Sequence, residues 1–556
     1  MAEPSMADPS HASPAHRRRS MLLSVSAFAL LWVALLVPDS PDGLSAAFLL
    51  RIPVELLVLT VLALVLPRRA AARVAGILGV TAAVVILLKV LDIGFLAGFY
   101  RDFDPLSDPA YLGSGWGLLH ASVGPVAAVL AGIGVVLATL GLLVGLPAAA
   151  VRVTRVARRH RAVTTAALGV LTLAWAAGAA ASLDVARGLP TSAADTSTTA
   201  LKHVQQIQDG LRDRADFQRA AADDPYAAVP PQALLAGLRG KDVVVVFVES
   251  YGRVAVQDPV VSPPVTAALD RAATGLGALG FTARSAFLTS PTFGGLSWLA
   301  HSTLQTGLRI SDQVRYNAVI SSSRLTLSTA FRRAGWHTVV DSPADEQDFA
   351  PASDFYGYQT VYDARNVGYA GPTFGYAPIP DQYTLATLAT RELRPGLRPP
   401  VFAEVDLVSS HAPWAPLPRM IDPRALGDGS PLRKVLTDAP SVADVWRDTG
   451  QVRQAYAQSV AYALDALTSF VEAAHDDNLV LVILGDHQPA AVVSGSRPDH
   501  DVPVTLVAHD PAVLGLASTW GWQPGWRPAP DAVTWPMEAF RDRFLDAFRS
   551  PVPPGS

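Results

Sequence analysis

Five long apolar segments in the first 183 residues constrain the fold more than any other feature of the chain. They cover residues 21–37, 47–66, 74–99, 122–151 and 163–182. Most approach the roughly 20 residues that a helix needs to cross a bilayer, and a helix satisfies its backbone hydrogen bonds internally. We therefore predict a five-helix transmembrane domain over residues 21–183, preceded by a disordered basic tail over residues 1–20.

The positions of the arginines predict the orientation. The N-terminal tail and the second-to-third and fourth-to-fifth connections carry arginines, whereas the two alternate connections carry aspartates. The positive-inside rule places the basic connections in the cytoplasm. We expect a multi-pass protein of the cell (plasma) membrane, with a cytoplasmic N-terminus and an extracellular domain after the fifth helix.

The composition agrees with a membrane part joined to a soluble part. Half of the residues are hydrophobic and only 17% are charged, with a mean hydropathy of +0.28. The formal net charge of −4 leaves no basic field for nucleic acid. The chain has no cysteine, which excludes disulfides, thiolate metal sites and a cysteine nucleophile.

Four ionisable residues fall inside the predicted spans. Arg51 and Glu55 lie one helical turn apart on the second span, and Lys89 and Asp92 are close on the third. Charges inside a membrane are costly unless they are paired or hydrated. Two interpretations remain open, because such pairs either bind a lipid head group or fix the packing of the helices.

The rest of the chain predicts a connector over residues 184–239 and an outer domain over residues 240–556. In the outer domain, apolar runs alternate with helical patterns. The predicted strands cover residues 243–249, 337–341, 400–407 and 479–484. Strands that alternate with helices are typical of a mainly parallel α/β sheet.

Polar residues follow three of these segments. Glu249 closes a run of valines, Asp486 and His487 follow a second strand, and His411 follows a third. A hydroxyl-rich segment, residues 289–307, lies between them in sequence. Ligands of open α/β sheets bind beyond the carboxyl ends of the strands, so we expect these groups to converge.

Their chemistry predicts a metal-assisted transfer reaction. Glu249, Asp486, His487 and a hydroxyl form an oxygen and nitrogen shell suited to a divalent cation such as Mn or Zn. Such a cation activates a serine or threonine and neutralises charge on a phosphoryl oxygen. The helix start after Gly294 and its neighbouring glycine adds N–H donors for an anion. The set fits phosphoryl or sulfuryl transfer through a covalent intermediate.

With these motifs in order, the chain resembles the lipoteichoic acid synthases. These are membrane phosphoglycerol transferases in the sulfatase branch of the alkaline phosphatase superfamily. The resemblance implies an alkaline phosphatase-like α/β domain outside the membrane. It also implies one divalent ion held by Glu249, Asp486, His487 and the nucleophile, with Mn favoured over Zn, Mg or Ca. His411 is expected to assist the substrate or the leaving group.

We predict Ser297 as the nucleophile and Thr292 as the alternative. When Ser297 is aligned with the first position of the sulfatase motif, Thr306 and Gly307 match its closing Thr-Gly. Residues 299–301 replace the Pro-Ser-Arg core of that motif. The signal that directs conversion of the sulfatase nucleophile to formylglycine is therefore missing. This departure indicates an unmodified serine.

Five further residues are candidates for substrate binding. They are His500, His301, Arg253, Asp381 and Trp414. A surface role is the competing interpretation for His500, and packing is the favoured interpretation for Trp414.

We predict a membrane-anchored, metal-dependent phosphotransferase or phosphodiesterase that acts on lipid or cell-envelope glycopolymer phosphodiesters beside membrane lipid. A sulfatase-type or phosphoethanolamine-transferase-type enzyme on the same fold is an alternative, and the missing cysteines weaken the second. A non-catalytic envelope scaffold or receptor is the alternative from another class. The sequence does not predict any protein partner.

Overall fold

The computed structural model describes most of the chain and divides it into two compact units. The described residues are 14–39, 45–111, 113, 116, 124–186, 189–394, 396–436, 439–495 and 499–550. Residues 1–13 of the predicted tail and the first two residues of the predicted fourth span lie outside them. One unit comprises Met1–Ala97 and Arg101–Leu211, and the other comprises Gly98–Tyr100 and Arg212–Ser556. The division at residue 211 falls inside the segment that we predicted as a connector.

The first unit is helical. Its long helices are α1 (Pro14–Leu36), α2 (Val54–Val65), α3 (Arg68–Phe99), α4 (Pro125–Arg159), α5 (Arg161–Ala180) and the start of α6 (Asp195–Ala222). Among the described residues, four helices (α1, α3, α4 and α5) are long and apolar enough to cross a membrane. These helices agree with the predicted membrane domain.

The second predicted span differs in detail from the prediction. A short 3-10 helix, Ala46–Leu50, ends before Arg51, and the chain then forms a two-residue strand, Ile52–Pro53, before α2 begins. This strand pairs in parallel with Ser192–Ala193. Pro53 has no N–H group and cannot continue a helix, so α2 is limited to 12 residues.

The charged residues of the second predicted span bind the start of α6. The Arg51 guanidinium forms an ion pair with Asp195, with Nη2 3.0 Å from Oδ1. Glu55 Oε1 accepts hydrogen bonds from both the N–H and the hydroxyl of Ser197, each 2.8 Å long. These contacts within the unit favour the packing interpretation of this pair.

The charged residues of α3 also bind inside the first unit. Lys89 Nζ donates to Val37 O at 2.6 Å, and both Lys89 and Asp92 are fully buried. Asp92 Oδ2 lies 3.1 Å from His203 Nε2. Both α3 groups therefore have protein partners, which again favours packing.

The second unit is built around one nine-stranded sheet. Its strands are β1 (Asp242–Val248), β2 (Thr282–Thr289), β3 (His337–Ser342), β4 (Thr360–Asp363), β5 (Val401–Leu407), β6 (Leu479–Gly485), β7 (Asp501–Ala508), β8 (Gln523–Pro524) and β9 (Thr534–Pro536). The order across the sheet is β8-β2-β7-β6-β1-β5-β3-β4, with β9 also paired to β2. The five strands from β6 to β4 are mutually parallel, which confirms the predicted α/β class.

Helices cover both faces of this sheet. The main ones are α7 (Ser262–Ala278), α8 (Ser297–Thr306), α9 (Gln313–Ile320), α10 (Leu327–Ala334), α11 (Asp381–Arg391), α12 (Thr449–Ala474) and α13 (Ala539–Phe548). Side chains of α8, α10 and α13 pack in one apolar core, and those of α7, α11 and α12 pack in the other.

Strand β1 lies between these two cores. Val243, Val245 and Phe247 enter the first core, whereas Val244 and Val246 enter the second. Alternate residues of a strand point to opposite faces. Both faces of β1 are therefore buried, which explains why its sequence is an unbroken apolar run rather than an alternating one.

Candidate active site

The predicted ligand residues meet where β1 and β6 end. The two strands are parallel neighbours, so Glu249 after β1 and Asp486 and His487 after β6 reach the same edge of the sheet. His487 Nε2 lies 3.4 Å from Glu249 Oε1 and 3.5 Å from Asp486 Oδ2. The three side chains are buried and place one ligand atom each within 4.8 Å of one another.

Ser297, the first residue of α8, completes the group. Its hydroxyl donates to Glu249 Oε2 at 2.9 Å and lies 3.2 Å from His487 Nε2. The residues before it, Gly295 and Leu296, both have positive φ, at 154° and 67°. This conformation is unusual for leucine, and it ends with Ser297 at the helix N-terminus, where free N–H groups favour an anion.

A close approach of two backbones holds the ligand loops together. A Cβ atom at Gly485 would lie 1.9 Å from the carbonyl oxygen of Tyr251, so only glycine fits there. The N–H of Ser250 then donates to Asp486 Oδ1 at 2.8 Å, and the Ser250 hydroxyl donates to Glu249 Oε1 at 2.8 Å. The turn after β1 thus orients both carboxylates.

The electrostatics of the group fit a bound cation. Burial opposes ionisation of Glu249, but the His487 and His411 rings outweigh it and lower the pKa of that carboxyl. Burial and the nearby Glu249 raise the pKa of Asp486. Asp486 Oδ2 is buried and has no hydrogen-bond donor among the described residues. A divalent ion would satisfy this oxygen and relieve the repulsion between the two carboxylates.

His487 has the tautomer that a metal ligand requires. Its Nδ1 lies 2.9 Å from the carbonyl oxygen of Gln488, which makes Nδ1 the protonated nitrogen. Nε2 is then free to bind a cation, and the backbone bond fixes the ring.

A cavity of about 490 Å³ opens beside Ser297. Glu249, Ser297 and Asp486 line one part of it, and His301 and His411 line its walls. This volume is in the range of sites for small organic ligands. The proposed nucleophile therefore faces a space large enough for a substrate.

His411 is held by two contacts at the cavity wall. Its Nδ1 lies 2.5 Å from the carbonyl oxygen of Ala412, and its ring stacks on Tyr376 with centroids 3.6 Å apart and an interplanar angle of 17°. Nε2 is the ring nitrogen left for a substrate. This arrangement fits the predicted assisting role of His411.

His301 belongs to a second ionisable group in the same cavity. Its Nδ1 lies 3.5 Å from Glu404 Oε1 and 3.4 Å from Asp406 Oδ1, and its ring stacks on Phe247 at 3.8 Å. Burial lowers the pKa of His301, but Asp406 and Glu404 outweigh it and raise the pKa to about 9.

Two other predicted substrate residues have structural partners instead. Arg253 Nη1 donates to Asp501 Oδ2 at 2.8 Å, and its guanidinium lies over the Phe287 ring. Trp414 is buried, and its indole N–H donates to Ser410 O at 2.7 Å. Neither residue lines the cavity.

The remaining three candidates also lie away from the cavity lining. Asp381 is fully buried, and its Oδ1 accepts the N–H of Ser409 at 2.9 Å. The Thr292 hydroxyl lies 3.4 Å from Ser290 Oγ. His500 packs against Phe293, with ring centroids 5.7 Å apart. Of the two candidate nucleophiles, Ser297 is the one whose hydrogen-bond contacts are with Glu249 and His487.

Sequence reasoning missed Glu404, Asp406 and Tyr376. A signal for the first two existed, because two carboxylates at alternate positions of the otherwise apolar strand β5 must share one face. Tyr376 lies in a loop, and no pattern in the sequence indicates that its ring contacts His411.

The second unit matches a known family. Residues 241–505 match the family model Sulfatase, and this span includes Glu249, Ser297, Asp486 and His487. The fold and the site thus define an α/β enzyme domain with a buried group of two carboxylates and one imidazole at the carboxyl edge of its sheet. The match agrees with the sulfatase branch that the resemblance implied.

Several solved structures are similar to the chain at low identity. The lipoteichoic acid synthase LtaP from Listeria monocytogenes is 15% identical, with a TM-score of 0.34 and coverage of 53% of this chain and 70% of that chain. The phosphoglycerol transferase GacH from Streptococcus pyogenes is 12% identical, with a TM-score of 0.35 and coverage of 62% and 86%. The lipooligosaccharide phosphoethanolamine transferase EptA from Neisseria meningitidis is 13% identical, with a TM-score of 0.43 and coverage of 94% and 95%. No curated protein compared with the chain gives a match.

Proposed function

We propose that the protein is a membrane-anchored, metal-dependent phosphotransferase or phosphodiesterase that acts on lipid or cell-envelope phosphodiesters. The observation that carries this proposal is the position of Ser297 Oγ, 2.9 Å from Glu249 Oε2 and 3.2 Å from His487 Nε2, in a group whose Asp486 Oδ2 has no hydrogen-bond donor among the described residues. Glu249, Asp486, His487 and Ser297 would hold one divalent ion, with Mn as the first choice. When bound, the ion supplies positive charge that stabilises an ionised hydroxyl and a charged phosphoryl oxygen.

The chain's own residues perform the first half of the reaction. Glu249 Oε2 accepts the hydrogen bond of Ser297 Oγ and orients it. As this oxygen bonds to phosphorus, its proton passes to water in the cavity, because the lowered pKa of Glu249 makes that carboxylate a weak base. The bond from phosphorus to the leaving oxygen breaks, and the electron pair stays on that oxygen. His411 Nε2 is positioned to protonate it. The N-terminus of α8 stabilises the phosphoryl oxygens.

The second half reverses these roles. An acceptor hydroxyl or water attacks the phosphorus of the Ser297 ester and gives its proton to His411. The bond from Ser297 Oγ to phosphorus breaks, and the serine recovers a proton from water. Atoms and charge balance over the cycle, so the same site supports either transfer or hydrolysis.

The experiment that tests this proposal offers the full-length protein three chromogenic esters with Mn, with Zn or without metal. These are a phosphodiester, a phosphomonoester and a sulfate ester. We expect metal-dependent phosphodiester turnover that falls by about 10³-fold or more in Ser297→Ala. Thr292→Val is the matched control and should retain turnover.

Other outcomes would overturn the proposal. Turnover of only the sulfate ester would favour a sulfatase. Activity that survives in Ser297→Ala and disappears in Thr292→Val would identify Thr292 as the nucleophile. No turnover together with no bound metal would favour a scaffold. A phosphoryl adduct on the peptide containing Ser297, trapped at low pH and found by mass spectrometry, would identify the intermediate directly.

We propose a cytoplasmic N-terminus and an extracellular catalytic domain in the plasma membrane, on the basis of the positive-inside arrangement. The chain has no cysteine, so single-cysteine variants give unambiguous labelling. We expect a membrane-impermeant maleimide to label Lys434→Cys on intact cells and to label Arg159→Cys only after lysis. The reverse labelling pattern would indicate the opposite orientation in the membrane.

A further inference from the structure

The cavity beside Ser297 contains a second group of ionisable residues that the proposed reaction does not use. Glu404 and Asp406 occupy alternate positions on β5 and so share a face, and His301 lies one helical turn after Ser297 on α8. His301 Nδ1 is 3.5 Å from Glu404 Oε1 and 3.4 Å from Asp406 Oδ1. The fold thus places two carboxylates and one imidazole in the same pocket as the nucleophile.

Hydrogen bonds hold both carboxylates in place, but they do not involve every carboxylate oxygen. Glu404 Oε2 accepts hydrogen bonds from Tyr358 Oη at 2.8 Å and from the amide of Gln305. Asp406 Oδ2 accepts from Ser342 Oγ at 3.0 Å. Asp406 Oδ1 is buried and has no hydrogen-bond donor among the described residues. Apart from His301 Nδ1 at 3.4 Å, which forms no hydrogen bond with it, this acceptor has no donor in the described part of the chain, and a ligand could supply one.

The walls around this group are aromatic and acidic. Tyr316, Phe349, Tyr356 and Tyr358 contribute rings, and Asp345 contributes a further carboxylate. Within the described part of the chain, the residues that line the cavity include no lysine or arginine. Aromatic faces and carboxylates together attract organic cations, whereas a second anionic group would be repelled.

We propose that this pocket binds the ammonium group of an amine-bearing phosphodiester while the phosphoryl group lies at Ser297. The inference rests on the proposed function and names the substrate class of the same site. Two of the three N–H donors of an ammonium group would bond to Asp406 Oδ1 and Glu404 Oε1, and the third can remain hydrated. His301 balances one carboxylate and leaves the other for the ligand. A volume of about 490 Å³ suits an organic group better than a bare ion.

The test measures binding to the metal-loaded Ser297→Ala protein by titration calorimetry, so that turnover does not interfere. The probes are 2-aminoethyl methyl phosphate and its uncharged analogue 2-hydroxyethyl methyl phosphate. We expect the amine to bind at least tenfold more tightly. Adding Asp406→Asn or Glu404→Gln should reduce that ratio to near one and leave binding of the hydroxyl probe unchanged.

A matched control removes a carboxylate outside the pocket. Asp465 lies on α12 and pairs with Arg271, so Asp465→Asn should keep the full preference for the amine. A glucosamine methyl phosphodiester serves as a third probe. Tighter binding of this probe than of the aminoethyl probe would indicate an amino-sugar source of the ammonium group rather than a lipid head group.

Two results would overturn the inference. Equal binding of the amine and hydroxyl probes would exclude an ammonium pocket. A second metal ion per chain that is lost in Asp406→Asn would assign His301, Glu404 and Asp406 to a metal instead. The failures remain distinguishable. Ser297-dependent turnover without amine preference refutes only this inference, and amine-selective binding without turnover refutes only the proposed reaction.

Discussion

The hydroxyl of Ser297 donates to Glu249 Oε2 across 2.9 Å and so joins the first turn of α8 to the end of β1. The hydroxyl and the carboxylate come from parts of the chain 48 residues apart. Two features of the fold hold them together: the residues with positive φ before α8, and the buried strand β1. A site that is assembled in this way needs little reorganisation when a substrate arrives.

Asp486→Asn should separate metal binding from stability. The substitution removes a ligand charge, so we expect metal affinity and phosphodiester turnover to fall at least tenfold. Burial and Glu249 raise the pKa of Asp486, which means that ionising it destabilises the metal-free protein. Without metal at pH 8, the variant should therefore melt at a higher temperature than the wild type.

Metal analysis after dialysis and thermal melting with a chelator check both parts of this prediction. Mn should raise the melting temperature of the wild type and have little effect on the variant, because a ligand that binds only the folded state stabilises it. A variant that retains one metal ion and full turnover would remove Asp486 from the site.

The sequence predicted the strands with mostly apolar runs. β1 and β6 are apolar on both faces and β5 is apolar apart from Glu404 and Asp406, and all three lie in the middle of the sheet. It did not predict β2 or β7. β2 is rich in small and polar residues, and β7 contains Pro503, which normally indicates the absence of a strand.

The structure explains why Pro503 is tolerated. β6 pairs with β7 only from Val504 onward, so the missing N–H of Pro503 breaks no bond to β6. On the other side, Phe287 of β2 faces Pro503 but donates its N–H to Val533 O. The tolerance depends on where the pairing of β6 ends, and this cannot be read from a local pattern.

The core of the candidate site was predictable and its substrate pocket was not. Strand ends in a parallel sheet converge, so Glu249, Asp486 and His487 could be grouped from sequence. Arg253 and Trp414 were candidates because they lie close in sequence to Glu249 and His411, and both have partners elsewhere. Which polar residues find internal partners depends on tertiary packing, which one sequence does not reveal.

Asp341 should make the stability of the second unit depend on pH. It lies on β3 with 1% of its surface exposed, and its Oδ2 has no hydrogen-bond donor among the described residues. Burial, followed by the charge of Asp406, raises the pKa of Asp341 to about 8. The unfolded carboxyl titrates near 4, so between pH 4 and 8 the folded state binds more protons. Stability should therefore fall as the pH rises through this window.

Asp341→Asn removes this titration. We expect the melting temperature of the variant to fall less between pH 5 and pH 8 than that of the wild type. Between pH 5 and pH 8 the free energy of unfolding of the wild type should fall on the order of a few kcal/mol more than that of the variant, because one pKa unit corresponds to about 1.4 kcal/mol. Asp465→Asn, at a more exposed ion pair, should leave the profile unchanged. Identical profiles for Asp341→Asn and the wild type would show that Asp341 does not titrate in this range.

The ion pair between Arg51 and Asp195 should stabilise the first unit. Asp195→Asn leaves the buried Arg51 guanidinium without its charged partner, and breaking a buried pair costs about 3 kcal/mol. We expect a lower melting temperature in detergent. The double variant Arg51→Met with Asp195→Leu removes both charges and should recover most of the loss. If Asp195→Asn is neutral, the pair does not fix the packing, and lipid binding by Arg51 becomes the better interpretation.

The Tyr376 ring should position His411 for catalysis. It covers one face of the imidazole at a centroid distance of 3.6 Å, and the other ring contact of His411 is to a backbone carbonyl. A stacked aromatic pair contributes about 1 kcal/mol beyond its buried area. We therefore expect Tyr376→Ala to lower kcat/KM for a phosphodiester by roughly fivefold to tenfold, mainly through kcat, because the ring acts through the general acid.

Tyr376→Phe keeps the ring and should stay within about twofold of the wild type. Thermal melting separates positioning from loss of structure, since a positioning role lowers kcat at an unchanged melting temperature. Wild-type kinetics in Tyr376→Ala, or equal losses in the Ala and Phe variants, would contradict a role for stacking.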